Sequence, residues 1–127
     1  MTVWQIDSVQ GRPQVTLTDW AVFDVPLNGL QQPWTRHLAG WSCEDGQGQV
    51  SSAVQTFDPS TRSCITGSGR VYRLQGRPGL CSDGDYVWNR WKGIAGITQE
   101  RNVTQEVLAA IESAPTPPGI SHHKAEK

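Results

Sequence analysis

The side chains with the widest chemical reach in this chain are Cys43, Cys64, Cys81 and His37, the one histidine outside the C-terminal run. A nucleophilic thiol needs a base to make its thiolate, so Cys64 or Cys81 beside His37 would be the arrangement for thiol catalysis. Nothing local to either cysteine marks an activated sulfur, and buried structural cysteine is the commoner use. Zinc needs three or four converging nitrogen or sulfur ligands, but the sequence has no C-x-x-C. On a single strand His37 and Cys43 would stand roughly 20 Å apart, too far to share an ion. His122 and His123 fall in a polar terminal run and read as solvated. Asp83 and Asp85 could pair for acid–base work, but two carboxylates at a helix start are explained by the helix dipole. Gly67-Ser68-Gly69 lacks the Lys and Ser/Thr of a phosphate-binding loop, and the dinucleotide glycine pattern is absent. These residues predict no metal and no cofactor, and they lean away from an enzyme.

Charge is more informative. The formal net charge is −1, with a pI near 6.3, which excludes a uniformly basic, histone-like binder. The distribution is nevertheless bipolar. Residues 1–58 hold two arginines against six acids, and residues 59–92 hold six basic residues against two acids. The basic middle comprises Arg62, Arg70, Arg73, Arg77, Arg90 and Lys92, interleaved with Tyr72 and Trp88. Guanidinium forks suit carboxylates and phosphates and stack on rings, so these eight residues form the candidate partner-binding set. Strand parity argues against a single patch, because Arg70 and Arg73 differ by an odd number and face opposite ways on a regular strand. The competing expectation is internal: the arginines pair with the acidic N-terminal half. The six Trp are first a device for burying much area at low entropic cost.

The elements that would position these groups divide the chain in two. Up to about Leu74 the pattern is short strands broken by turns. Val3 to Val9 is a candidate strand, stopped by Gly11-Arg12-Pro13. Val15 and Leu17 alternate with threonines, and the phase then shifts around Trp20 to Val25, as at a bulge or in a strand buried on both faces. Thr35 to Cys43 and Gln49 to Phe57 flank a glycine-rich loop as a hairpin would. Arg62 to Thr66 and Arg70 to Leu74 follow as further strands. Ser82 or Asp83 can cap a helix carrying Val87, Trp91 and Ile94 on one stripe, ended by Gly93 and Gly96. Asn102 with Gln105 resembles a capping box, opening a helix with Val103, Val107, Leu108 and Ile111 inward.

Strands followed by helices predict an α+β fold. We expect about five or six short antiparallel strands in a bent sheet or small open barrel, one face buried under two C-terminal helices. Trp88, Trp91 and Val107 are expected to face Trp41 and Tyr72. With 127 residues, 14.0 kDa and 36% apolar content, the chain suits one domain and not a disordered or collagenous polymer. That domain is expected over residues 1–113, with 114–127 as a disordered, proline-rich tail. The opening residues lack a basic n-region and an apolar run, no stretch approaches a spanning helix, and three cysteines are an odd number for a disulfide framework. Together these predict a cytoplasmic protein with no membrane association.

The stretch Ser68-Gly69-Arg70-Val71-Tyr72-Arg73-Leu74-Gln75-Gly76-Arg77-Pro78-Gly79, followed by Asp85-Tyr86-Val87-Trp88-Asn89-Arg90-Trp91, resembles a pattern in small uncharacterised bacterial proteins of plasmids and other mobile elements. The resemblance covers about a third of the chain and carries no activity or site residue with it. It implies an accessory protein that binds a host or defence component. The expected function is therefore a non-catalytic binding protein with a macromolecular partner, protein before nucleic acid. A nucleic-acid binder using the basic middle and a thiol-dependent enzyme are the alternatives.

Overall fold

The structure, a computed structural model, describes residues 11–115; the candidate strand Val3 to Val9 and most of the 114–127 run lie outside them. Its organising element is β1, Gln14–Val25, whose apolar residues fall on both faces. Register with β2, Thr35–Ser42, shifts between Thr18 and Ala21, and Asp19 there takes a left-handed φ of 48°. This bulge re-phases the strand. Val15, Leu17, Trp20 and Val22 join one apolar cluster, whereas Ala21, Phe23 and Val25 join another.

The chain continues through β3 (Gln47–Val50), β4 (Val54–Asp58), β5 (Ser63–Thr66) and β6 (Val71–Leu74). Helix α1 (Ser82–Ala95), the two-residue β7 (Arg101–Asn102) and helix α2 (Thr104–Ser113) complete the described residues. The sheet runs β3-β2-β1-β6-β5-β4, with β7 added beside β1. It is mixed, curled and open, followed by two helices, an α+β fold as expected. One pairing differs from the expectation: β6 lies parallel to the first half of β1, from Gln14↔Val71 to Leu17↔Leu74.

The second hairpin arm is also two strands rather than one. Ser51 interrupts it, its N–H donating to the Leu38 carbonyl and its hydroxyl accepting from the Leu38 N–H, both at 2.9 Å. The chain turns the corner there, and β3 and β4 become opposite ends of the sheet.

The helices do not share a face. Val103 and Val107 of the α2 segment pack with Leu17, Val22 and Tyr72, while Trp88 of α1 packs with Phe23, Val25 and Ala39. A central strand apolar on both sides needs a cover on each, and one helix supplies each cover. Tyr72 thus meets Val107 as expected, but Trp88 and Trp91 belong to the other core, and Trp41 to neither cluster.

Helix α1 lies close on β2 and β3. A Cβ on Gly48 would stand 2.4 Å from the Asp83 carbonyl oxygen, and one on Gly84 would stand 3.2 Å from the Gly40 Cα. Its N-cap is Cys81, whose Sγ accepts from the Gly84 N–H at 3.4 Å, in place of Ser82 or Asp83. Gly96 ends it at a φ of 74°. Ile94, expected on the inward stripe, is 67% exposed. In α2, Asn102 accepts from the Thr104 N–H at 2.9 Å, although the N-cap position itself is Val103. No helix of the described residues is long and apolar enough to cross a membrane.

Candidate interaction surface

The eight residues of the candidate set have three different fates. Tyr72 and Trp88 are core. Tyr72 is 2% exposed, and its hydroxyl accepts from the Gln49 side-chain amide at 2.9 Å. Trp88 is 1% exposed, stacked on Phe23 at 4.4 Å and on Trp91 at 5.2 Å between ring centroids. Its indole N–H donates to Glu100 Oε1 at 2.9 Å. Neither ring offers a stacking platform, which corrects their placement on the surface. The same parity that exposes Arg73 turns Tyr72 inward, and the second apolar face of β1 draws in Trp88.

Arg70 and Lys92 are engaged internally. Arg70 is 4% exposed, and its Nε–H donates to the Arg12 carbonyl at 2.8 Å. Lys92 pairs with Glu100, the carboxylate that also holds Trp88, and its ammonium sits 5.8 Å from the Trp88 ring centroid. Both are therefore corrected too: their charge supports the fold instead of facing a partner.

The rest remain accessible. Arg73, Arg77 and Arg90 are exposed, and among the described residues none of the three has an ion-pair partner. The acids of the N-terminal half are taken partly by its own arginines, in the pairs Arg36–Asp24 at 2.7 Å and Arg12–Asp45 at 3.2 Å. Arg62 is half-buried, donating through Nε to the Leu74 carbonyl at 2.8 Å and through Nη2 to the Gly76 carbonyl at 2.6 Å.

Arg62 leads to a feature that no sequence pattern announced. The segment Gln75 to Leu80, between β6 and α1, is strapped to the bulged stretch of β1. The N–H groups of Gln75, Gly79 and Leu80 donate to the carbonyls of Leu17, Trp20 and Asp19 at 2.9, 2.9 and 2.7 Å. The Gly76 carbonyl also accepts from the buried Trp20 indole at 3.2 Å. Three non-glycine residues at this strap, Asp19, Arg62 and Leu80, hold left-handed φ values of 48°, 58° and 62°. Such conformations persist only where surrounding bonds over-determine them, and they cluster at functional segments.

Two clefts flank the strap. One, about 220 Å³, is bounded by Thr16, Arg62, Arg73 and Gly76. The other, about 480 Å³, is bounded by Trp20, Ala21, Pro78, Leu80, Asn102 and Gln105. Arg77 occupies the strap between them. Arg90 lines a separate hollow on the outer face of α1 with Asp85 and Tyr86, which is 55% exposed. The arginines thus fall on two surfaces, as parity had warned for Arg70 and Arg73, though by a different division.

Among the described residues no hydrogen bond joins His37 to a cysteine. Cys64 is 3% exposed, and burial pushes its thiol up to about 12, against a smaller opposing effect of Arg36. His37 is 1% exposed, its Nδ1 bonded to the Ser51 carbonyl at 3.0 Å and its Nε2 to the Thr35 hydroxyl at 2.7 Å. Both ring nitrogens are occupied, so it is no free base. Cys81 serves as a helix cap and Cys43 is exposed. Among the described residues no group of three His, Cys, Asp or Glu could hold a metal ion. No family, curated protein or solved structure matches the chain.

Proposed function

We propose that this is a non-catalytic binding protein that docks an acidic surface of a protein partner onto the strap, through Arg73 and Arg77. The observation that carries the reading is the combination of exposed guanidiniums with no carboxylate partner among the described residues and a backbone held by hydrogen bonds beneath them. Rigid presentation matters because ordering a loop on binding subtracts from affinity, and a pre-organised loop avoids that loss. Arg62 adds to it as a brace whose guanidinium fixes the strap from below. The stretch resembling the mobile-element proteins runs through this strap, which fits an accessory protein acting on a host or defence component.

Protein is favoured over nucleic acid because Tyr72 and Trp88, the two rings of the candidate set, are buried. Single-stranded nucleic acid is held by bases stacked on exposed rings beside a basic groove, and Tyr72 and Trp88 are 2% and 1% exposed.

The test compares the wild-type chain with an Arg73→Glu/Arg77→Glu variant in affinity enrichment from the source cells, with salt titration of each captured species. Partners retained by the wild type at low salt and lost by the variant support the reading. Recovery of the same partners by both overturns it, and tight binding of the wild type to single-stranded DNA or RNA would favour the nucleic-acid alternative.

A further inference from the structure

The cleft of about 220 Å³ beside Arg73 narrows what the acidic group of a partner can be. Its lining holds two cationic residues, Arg62 and Arg73, two threonines, Thr16 and Thr61, and no acid. The Arg62 guanidinium is fixed at this wall. Its donations to the Leu74 and Gly76 carbonyls, at 2.8 and 2.6 Å, tie it to two residues that themselves line the cleft. A guanidinium has more N–H donors than these two bonds use, so Arg62 keeps hydrogen-bonding capacity as well as charge.

Arg73 stands between Tyr72 and Leu74, both 2% exposed, so alternation turns it to the outer face of the sheet. Register places Thr16 of β1 and Ser63 of β5 directly opposite it. The Ser63 hydroxyl lies 2.7 Å from that of Thr61 on the cleft lining. Guanidiniums beside hydroxyls are a donor set from which phosphoryl oxygens accept.

Two acids adjoin this wall, and both are occupied. Glu44 accepts from the Thr16 N–H and hydroxyl at 2.7 and 2.9 Å. Asp58 accepts from the Ser60 N–H and hydroxyl at 3.1 and 2.8 Å. Among the described residues neither forms an ion pair with Arg62 or Arg73. Two guanidiniums thus border one cleft that has no carboxylate on its lining. A carboxylate ligand brings a single negative charge. A phosphate monoester brings close to two at neutral pH, on three strong acceptor oxygens.

We infer that this cleft is a phosphate-monoester site that takes a phosphorylated side chain of the partner protein. This rests on the proposed function and names the acid that Arg73 meets. A nucleic-acid phosphodiester carries one negative charge per phosphate and leaves the second guanidinium unmatched. Tyr72 and Trp88, which would stack its bases, are buried.

Fluorescence anisotropy with the whole chain tests it, using labelled Gly/Ser peptides that carry one phosphoserine, one Glu or an unmodified Ser. The phosphoserine peptide should bind at least about tenfold more tightly than the Glu peptide, through charge-assisted bonds to both guanidiniums. Arg73→Gln, at an exposed position, should abolish that preference at an unchanged melting temperature. Arg62→Asn removes the second guanidinium with a residue that tolerates the left-handed φ of 58°, and should weaken the preference too. Absent or equal binding of the phosphoserine and Glu peptides, or a preference that survives Arg73→Gln, overturns the inference. So does inorganic phosphate binding as tightly as the phosphopeptide, or a single-stranded oligonucleotide binding more tightly. Partner capture separates this failure from that of the proposed function. Partners lost by Arg73→Glu/Arg77→Glu yet still captured from phosphatase-treated extract would keep the proposed function and refute phosphate recognition.

Discussion

The strap from Gln75 to Leu80 and the aromatic layer under α1 are put to opposite uses. Under α1 the rings of Phe23, Trp88, Trp91 and His37 form one contiguous layer, with His37 4.6 Å from Trp91 between centroids. The Trp88 indole and Lys92 share Glu100, and both His37 nitrogens are bonded. At the strap the arginines point out, the backbone takes left-handed turns at non-glycine residues, and the carbonyls do the holding. One region is satisfied in itself. The other is held rigid while its charge is left for something else. That contrast separates a stabilising arrangement from a recognising one by how polar groups are satisfied, which composition does not record.

Four measurements would break or sharpen this contrast. Trp88→Ala removes the centre of the aromatic layer and should destabilise the fold by about 3–5 kcal/mol, read by urea unfolding. Partner binding by the fraction still folded should persist. If the loss were under about 1 kcal/mol, the layer would not be the structural half of the molecule.

Gly48→Ala comes next. Its new methyl would press on the Asp83 backbone at 2.4 Å, which no side-chain rotation relieves. A loss of about 1–3 kcal/mol follows from overpacking, with α1 lifted from β2 and β3. Near-ultraviolet circular dichroism of the tryptophans reports that displacement, and an unchanged spectrum with unchanged stability would show the contact to be slack.

The third concerns pH. Burial holds the His37 imidazole below its ordinary pKa, with opposing help to the cation from the Ser51 carbonyl and Asp24. A base whose pKa is depressed on folding binds its proton more readily when unfolded. The stability it contributes is complete above the unfolded value of about 6.5 and falls as the pH drops below it. The slope should approach, and not exceed, about 1.4 kcal/mol per pH unit per proton. His37→Gln should remove this component between pH 6.5 and the folded pKa, whatever its effect at neutral pH.

The smallest effect belongs to the strap. Arg73→Glu/Arg77→Glu should change stability by no more than about 0.5 kcal/mol, because exposed side chains without partners contribute little to folding. A larger loss would place these arginines in the structural class and remove the contrast.

Much of the scaffold was legible beforehand. The phase shift between Leu17 and Ala21 pointed to a bulge or a doubly buried strand, and β1 is both, because a period of two cannot slip without an extra residue. The stripe of Val103, Val107, Leu108 and Ile111 packs inward as read. The parallel pairing of β1 with β6, the corner at Ser51 and the division of the helices between two faces were not legible. They depend on which distant segments meet, and no local periodicity records that. Of the candidate set, Arg73, Arg77 and Arg90 reach solvent, whereas Arg70, Tyr72 and Trp88 are buried and Lys92 is neutralised. The misplacements share a cause: charge and aromaticity were counted by segment, while exposure is set by facing. Ile94 illustrates it, lying on the expected stripe by angle yet 67% exposed.

Alternation and turn chemistry alone determined that this chain makes short strands followed by two helices, because those signals act over a few residues at a time. Which guanidiniums are free was decided only when residues as far apart as Leu17 and Gln75 became hydrogen-bond partners. Backbone bonds to the β1 bulge, not any property of the segment Gln75 to Leu80 itself, stop it at the surface with Arg77 exposed. A bond of that kind exists only in the folded chain.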